Sequence, residues 1–267
     1  MLTPSQIAEF KSQGYLRGAK VLTDAQVETL RNEIERVIAE RERTDIPQPV
    51  LCHNFTGNEA APVWQIVNIW EASPAFKDLI HNRQICEEMA QLMSATELRI
   101  WHDQIQYKPA SRGGVNMWHQ DAPLWPIIAP MTEVTAWVAL DDVDVDNGCM
   151  SMVPGSHLWG DHMKHLATWK DFVADVPSEY QGHKVEVKKC PVKKGEVHFH
   201  HSLTWHGSHA NTSGRPRRAI ALHFMGGETR YVESGEHCMK QFVTVEDGEV
   251  LQGEHFPLVW SKDAVLA

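Results

Sequence analysis

From about residue 97 onward the chain is a run of short, β-rich segments separated by turn formers, and this texture limits the possible folds more than any other feature. The segments "ELRIWHDQIQYKP", "EVTAWVAL", "CMSMVPGS", "HKVEVKK", "GEVHFH" and "RRAIALHFM" are each brief and bounded by Gly, Pro, Asn or Asp. Many short strands with such punctuation indicate a sandwich or a barrel-like jelly roll. Residues 158–182 read as an insertion, partly helical. The first ninety or so residues have a different, helical texture. "TPSQIAEFKSQGY" places Thr3 before Pro4 and closes on Gly14. "LTDAQVETLRNEIERVIAERER" offers Thr23 and Asp24 as caps and repeats Val27, Leu30, Ile34 and Val37 at helical spacing. "SPAFKDLIHNRQICEEMAQLM" reads as one further helix capped by Ser73, and "VLCHNFTGNEAAPVWQIVNIW" as loop and short strand. The expected architecture is mostly β with α: one domain over 1–267, with a largely helical N-terminal layer (1–96) packed on a jelly-roll core (97–267).

Composition agrees with a folded, water-facing chain. At 267 residues, 42% hydrophobic and 22% charged, it has the apolar content to bury a large core and no bias toward disorder. The net charge of −10 argues against a general nucleic-acid partner, which needs a basic surface. No apolar run approaches the length of a membrane span, and "MLTPSQIAEFKSQGYL" lacks the basic and apolar regions of a secretory signal. Cys52, Cys86, Cys149, Cys190 and Cys238 are scattered with no CxxC pair, which suits free thiols in a reducing compartment, so the cytoplasm is the expected location. No feature of the sequence fixes an oligomeric state.

Histidine and tryptophan are abundant, at 16 and 10, and crowd two stretches. In "NMWHQDAPLWP", residues 116–126, His119 and Asp121 stand two apart. On a strand such residues share a face, so an imidazole and a carboxylate converge on one point. Alone, that pair is more often a structural hydrogen bond than a metal site. The second stretch, "GEVHFHHSLTWHGSHANTSGRPRRAIALHFM", carries His198, His200, His201, His206, His209 and His223, then Arg215, Arg217 and Arg218. Two histidines and one carboxylate leave three open positions on Fe(II), the arrangement of non-haem iron oxygenases. Those positions suit a bidentate 2-oxo acid and then O2, while a buried arginine on a neighbouring strand grips the far carboxylate.

Taken together, "WHQDAP", "DNGCMSMVPGSH" and "WHGSHANTSGRPRRAI" resemble the phytanoyl-CoA dioxygenase family of Fe(II)/2-oxoglutarate-dependent oxygenases. The resemblance covers most of the chain from about residue 97, the N-terminal helices agreeing only in general character. In that family the last motif runs from the distal histidine through Gly-Ser to an arginine eleven residues on, which selects Arg217 over Arg215 and Arg218. The resemblance implies a double-stranded β-helix, a jelly-roll variant, with iron ligands His119, Asp121 and His206. It implies Arg217 and Ser208 at the distal carboxylate of 2-oxoglutarate, with Lys108 and Trp137 near that cosubstrate. Fe(II), 2-oxoglutarate and O2 are then the cofactor and cosubstrates. The implied reaction hydroxylates an aliphatic C–H of a small molecule and releases succinate and CO2. Halogenating relatives replace the HxD carboxylate with a small residue; Asp121 is intact, so chlorination is not expected.

Other readings stay open at this level. A non-redox, cupin-like metal jelly roll would use the same ligands without needing Arg217, and desaturation or ring closure would use the same machinery as hydroxylation. His198 and His200 share a strand face and form a rival metal pair, but with no 2-oxo-acid grip downstream. His209 and His223 are expected in the core or around the site, and Arg215 and Arg218 at the surface. The aspartates of "DDVDVDNG" lack the terminal glutamate of a calcium loop and read as turn chemistry. Trp125 is assigned to face the substrate, because flanking prolines would fix its loop beyond Asp121. "KVEVKKCPVKKGE" is the only dense cationic run and its lysines are expected in solvent, so a CoA ester is not the expected substrate.

Overall fold

The computed structural model describes residues 1–263. Both N-terminal helix starts are built from a reciprocal capping box. The hydroxyls of Thr3 and Thr23 accept the amides of Gln6 and Gln26, whose side chains take the threonine N–H groups in return. These boxes open α1 (Pro4–Gln13), closed by a left-handed Gly14, and α2 (Asp24–Glu40), which buries Val27, Leu30, Ile34 and Val37. Strand β1 (Tyr15–Lys20) lies between them, and the hairpin β2 (Leu51–Asn54) and β3 (Trp64–Val67) follows. A short α3 (Ile69–Ala72) leads to α4 (Pro74–Ile80) and α5 (Arg83–Met93).

The single helix expected from Ser73 to Met93 is therefore two. Asn82 divides it: its side-chain oxygen accepts the Ile85 amide at 3.1 Å and its side-chain nitrogen donates to the Val21 carbonyl. Ser73 makes no capping bond.

The later strands are β4 (Glu97–Lys108), β5 (Asn116–His119), β6 (Val134–Ala139) and β7 (Met150–Met152). After α6 (Met163–Leu166) come β8 (Lys188–Cys190), β9 (Glu196–His201), β10 (His206–Ser208), β11 (Arg217–Gly226) and β12 (Leu258–Ser261). They form a large antiparallel sheet, ordered β1-β9-β6-β11-β4-β3-β2 with β12 also on β4, and a small one, β8-β7-β10-β5. This is the mostly β, jelly-roll architecture that the texture indicated. Within the largely helical residues 1–96, β2 and β3 fall in the stretch read as loop and short strand, β1 falls outside it, and all three extend the large sheet. These four- to six-residue strands carry little alternation of their own and are held by register with longer partners, Tyr15 opposite His200 and Gln65 opposite Gln106.

Alternation along the central strands decides what faces what. Ile220, Leu222 and Phe224 of β11, Val134, Ala136 and Val138 of β6, and Val197 and Phe199 of β9 belong to one core with the buried faces of α1, α2, α4 and α5. Fully burying each such side chain is worth roughly 1.5–3 kcal/mol. The intervening residues, among them Arg217, His223, Thr135, Trp137, His198 and His200, are thereby turned to the space between the sheets, and a one-residue slip would invert both sets. The 158–182 insertion carries α6 and packs Leu166, Trp169 and Phe172 on Trp118 and Trp205, roofing the small sheet. All five cysteines are free thiols, and no helix among the described residues is long and apolar enough to cross a membrane.

Candidate metal centre and its cavity

The small sheet brings the two motifs face to face. β5 and β10 pair with His119 directly opposite His206, their ring centroids 4.2 Å apart. Gly207 lets β10 pass so closely: a Cβ there would meet Phe172 Cε2 at 2.8 Å and the Asn116 carbonyl oxygen at 2.9 Å. Asp121 follows β5 at the start of a short 3-10 turn, anchored by its amide donating to Ser202 O at 2.8 Å.

Ligand atoms of His119, Asp121 and His206 all lie within 4.8 Å of one another, the only such His/Cys/Asp/Glu group among the described residues. Asp121 Oδ1 is 3.6 Å from each Nε2. Backbone carbonyls fix both tautomers: His119 Nδ1 donates to Met117 O at 2.7 Å and His206 Nδ1 to Thr204 O at 2.9 Å. A carbonyl can only accept, so each Nδ1 carries a proton and each Nε2 is the nitrogen turned toward Asp121. The other carboxylate oxygen, Oδ2, accepts from Thr135 Oγ1 and His200 Nε2, each at 3.3 Å. Burial opposes ionisation of Asp121, but His206, His119 and His200 together hold its carboxyl well below the ordinary range. Burial, with His119 beside it, pushes His206 well below the usual imidazole value and keeps it neutral. Burial opposes charging His119, but its contact with Asp121 raises it above the usual imidazole value, so a divalent metal bound there would take the place of a proton.

Beyond His206, two buried cations stand without a counter-ion. The Arg217 guanidinium donates to Ser208 Oγ at 2.9 Å and Gly148 O at 3.1 Å, while its Nε is buried with no partner. Lys108 Nζ donates to Ser208 Oγ at 2.7 Å, Ser208 O at 3.2 Å and His209 O at 2.6 Å. Neither has a carboxylate partner among the described residues. Burial lowers Arg217 to about 10, and burial together with Arg217 pushes Lys108 well below its ordinary value. Ser208 Oγ accepts from both cations, which leaves its own proton for a further acceptor. Trp137 lies under the guanidinium at 5.5 Å. Gly148, in the "DNGC" turn, has a φ of +87°, and a Cβ there would strike the His209 carbonyl oxygen at 2.6 Å.

A cavity of about 520 Å³ opens onto this centre. His119, Asp121, His206, Ser208, Trp137 and Trp125 line it, whereas Arg217 and Lys108 sit behind Ser208 and do not. Trp125 packs edge-on against His223 with ring centroids 4.7 Å apart. The rival pair is divided: His200 reaches Asp121 and lines the cavity, but His198 stacks on Tyr15 with centroids 5.6 Å apart and lies outside the ligand cluster. His223 takes a bond with Thr135 Oγ1 at 2.8 Å. Arg215 pairs with Asp144, and Arg218 with Asp141. Asp144 Oδ1 accepts the amides of Asp146 and Asn147, which is turn chemistry. Sequence reasoning missed Thr135, the contact of His200 with Asp121, and the cavity glutamines Gln65, Gln104 and Gln106. Strand alternation signals which residues of one strand share a face, and no more than that.

A family model described as Phytanoyl-CoA dioxygenase (PhyH) matches residues 10–219. The chain belongs to the phytanoyl-CoA dioxygenase family. Membership takes in the N-terminal helices as well as the strands, further than the motifs alone reach. Enzymes of this family are 2-oxoglutarate-dependent non-haem iron dioxygenases, with Fe(II), 2-oxoglutarate and O2 as cofactor and cosubstrates. The chain is 24% identical over 258 residues to the peroxisomal phytanoyl-CoA dioxygenase of Bos taurus, covering 92% of this chain and 76% of that one. It is 25% identical over 239 residues to an ectoine dioxygenase of Bordetella parapertussis, covering 83% and 74%. Among solved structures it resembles the non-heme α-ketoglutarate-dependent carbocyclase SnoK from nogalamycin biosynthesis, at 28% identity and a TM-score of 0.80 over 97% of each chain. EctD from S. alaskensis with 2-oxoglutarate and 5-hydroxyectoine shares the fold, at 21% identity and a TM-score of 0.70 over 88% and 82%. The side chains fit the family's cofactors: two free imidazole nitrogens and a carboxylate for the metal, and an unpaired buried guanidinium for a dicarboxylate.

Proposed function

We propose that this chain hydroxylates an aliphatic C–H bond of a small molecule, with His119, Asp121 and His206 holding Fe(II) and Arg217 and Ser208 holding the distal carboxylate of 2-oxoglutarate. One observation carries the reading: a 2-His-1-carboxylate set, with Asp121 and His206 buried and His119 half-buried, stands beside a buried guanidinium that has no carboxylate of its own. When bound, Fe(II) with 2-oxoglutarate and O2 supplies an oxidation that releases succinate and CO2 and leaves one oxygen atom on the substrate. The chain's own residues do the positioning. Met117 and Thr204 orient the imidazoles, Thr135 and His200 orient Asp121, and Lys108 fixes Ser208. His119, Asp121 and His206 serve as ligands and not as acid–base catalysts. Trp137 backs the guanidinium, Trp125 walls the substrate side, and the apolar lining keeps water from the reacting carbon.

The whole chain works as one domain in this reading, since Phe55 and Gln65 of the N-terminal part complete a cavity otherwise built by later strands. Five free thiols favour a reducing compartment, the cytoplasm. The test is anaerobic addition of 2-oxoglutarate to the Fe(II)-loaded protein. A weak charge-transfer band in the green is expected, absent in His206→Ala and in Arg217→Ala at matched concentration. No band in a protein that still binds Fe(II) overturns the reading. The likeness to a carbocyclase favours ring closure as the second outcome. Product mass separates the two: hydroxylation adds an oxygen atom, and ring closure removes two hydrogens.

A further inference from the structure

Every ionisable side chain lining the cavity sits at its metal end: His119, Asp121, His200, His206 and His223. Elsewhere the wall is apolar or neutral. Trp118, Trp125 and Trp169 contribute aromatic surface, and Phe55, Val115 and Leu124, all exposed, form an apolar rim. One side differs. Gln65 of β3 pairs in register with Gln106 of β4, and Gln104 stands two residues along β4, so three carboxamides share one face. His53 Nε2 lies 2.8 Å from Gln65 Oε1 and must donate to it, which leaves the Gln65 NH2 free. The half-buried carboxamides of Gln104 and Gln106 have no hydrogen-bond partner among the described residues, though both line the cavity. Ala221 of β11, opposite Gln104 in register, shows that the sheet itself has no need of polar side chains here.

Resting on the reading of this cavity as the substrate chamber, we infer that the substrate is an uncharged, ring-bearing molecule. Its ketone, hydroxyl or amide groups lie along one edge, where Gln104 and Gln106 bind them while the tryptophans take its apolar face. A carboxamide both donates and accepts, so it suits such neutral groups. It cannot neutralise the ends of a zwitterionic solute, which would be desolvated without a counter-charge, and the lining offers the phosphates of an acyl-CoA no lysine or arginine.

The experiment is equilibrium dialysis of the Mn(II)- and 2-oxoglutarate-loaded protein against three pools, read by mass spectrometry. One holds neutral ring ketones and alcohols (progesterone, testosterone, fluorenone), one palmitoyl-CoA and benzoyl-CoA, and one glycine betaine and carnitine. Retention from the first pool alone is expected, falling roughly three- to tenfold in Gln104→Leu or Gln106→Leu, the worth of one neutral hydrogen bond. Retention of a CoA ester or zwitterion, or of nothing from the neutral pool, overturns the substrate class. Undiminished retention in both variants overturns the role of the glutamines. Binding of 2-oxoglutarate is measured in the same samples. Its absence in the wild type points at the cofactor reading, whereas its presence with no neutral ligand retained defeats this inference alone.

Discussion

Replacing Arg217 with methionine separates what the guanidinium costs the fold from what it contributes to the cosubstrate. Burial takes the group from its ordinary value down to about 10, which at roughly 1.4 kcal/mol per pH unit disfavours the folded, charged form by ~3 kcal/mol. The folded state holds this proton less tightly than the unfolded state, so the penalty is present at every pH below about 10. Methionine removes it and keeps apolar contact with Trp137. Against that gain, Gly148 O and Ser208 Oγ lose a donor, at about 1 kcal/mol each, and Ser208 retains Lys108. Without ligand the variant is therefore expected to be as stable as the wild type or up to ~2 kcal/mol more stable. With Mn(II), 2-oxoglutarate at a hundred times its Kd stabilises the wild type by about 2.7 kcal/mol, a Tm rise of roughly 5–10 °C. Truncating one side of a buried charge pair costs about 2–5 kcal/mol, or roughly 30- to 5000-fold in affinity. At the same 2-oxoglutarate concentration the stabilisation of the variant drops below about 1 kcal/mol. Thermal melts with Mn(II), with and without 2-oxoglutarate, measure both effects in one series. A variant that melts far earlier than wild type yet keeps the full ligand-induced rise would make Arg217 a structural residue and refute the reasoning.

Three further outcomes are open to measurement. Burial drives the Glu133 carboxyl from 4.5 up to about 7, so its contribution is whole below pH 4.5 and ~3 kcal/mol of stability is lost as pH rises to 7. Glu133→Gln should raise the urea midpoint at pH 8 and leave it unchanged at pH 4.5; an equal effect at both would remove burial as the cause. Ile34→Ala empties a fully buried position under the large sheet and should cost roughly 2–5 kcal/mol by urea denaturation, with Mn(II) affinity intact. Asn82→Ala should cost about 1 kcal/mol through the lost cap, and Ser73→Ala less, because Ser73 caps nothing.

The elements that the sequence announces are those whose signal is local. Thr3 and Thr23 with glutamines three residues on, and the outward alternation of Ile220, Leu222 and Phe224, need no partner to be recognised. β1, the joining of β2 and β3 to the large sheet, and the break at Asn82 escape such reading, because each depends on a neighbour distant in sequence: a longer strand, or the Val21 carbonyl. The centre divides in the same way. The spacing of His119 and Asp121 and the run from His206 to Arg217 are visible in one dimension. What holds Asp121 in place is visible only across the sheet, where register aligns His200 of β9, Thr135 of β6, His223 of β11 and His102 of β4 in one row. Thr135 reaches both Asp121 and His223 from the middle of that row, and His200 reaches Asp121 from its end. His198 has the same alternation as His200 and differs only in standing one register step away, opposite Trp137. Sliding β9 by two residues would keep every apolar side chain on its proper face and still put His198 in the place of His200. Alternation is blind to that change, and the site is not: register, set by turn lengths and the packing of the whole sheet, decides which histidine steadies the carboxylate.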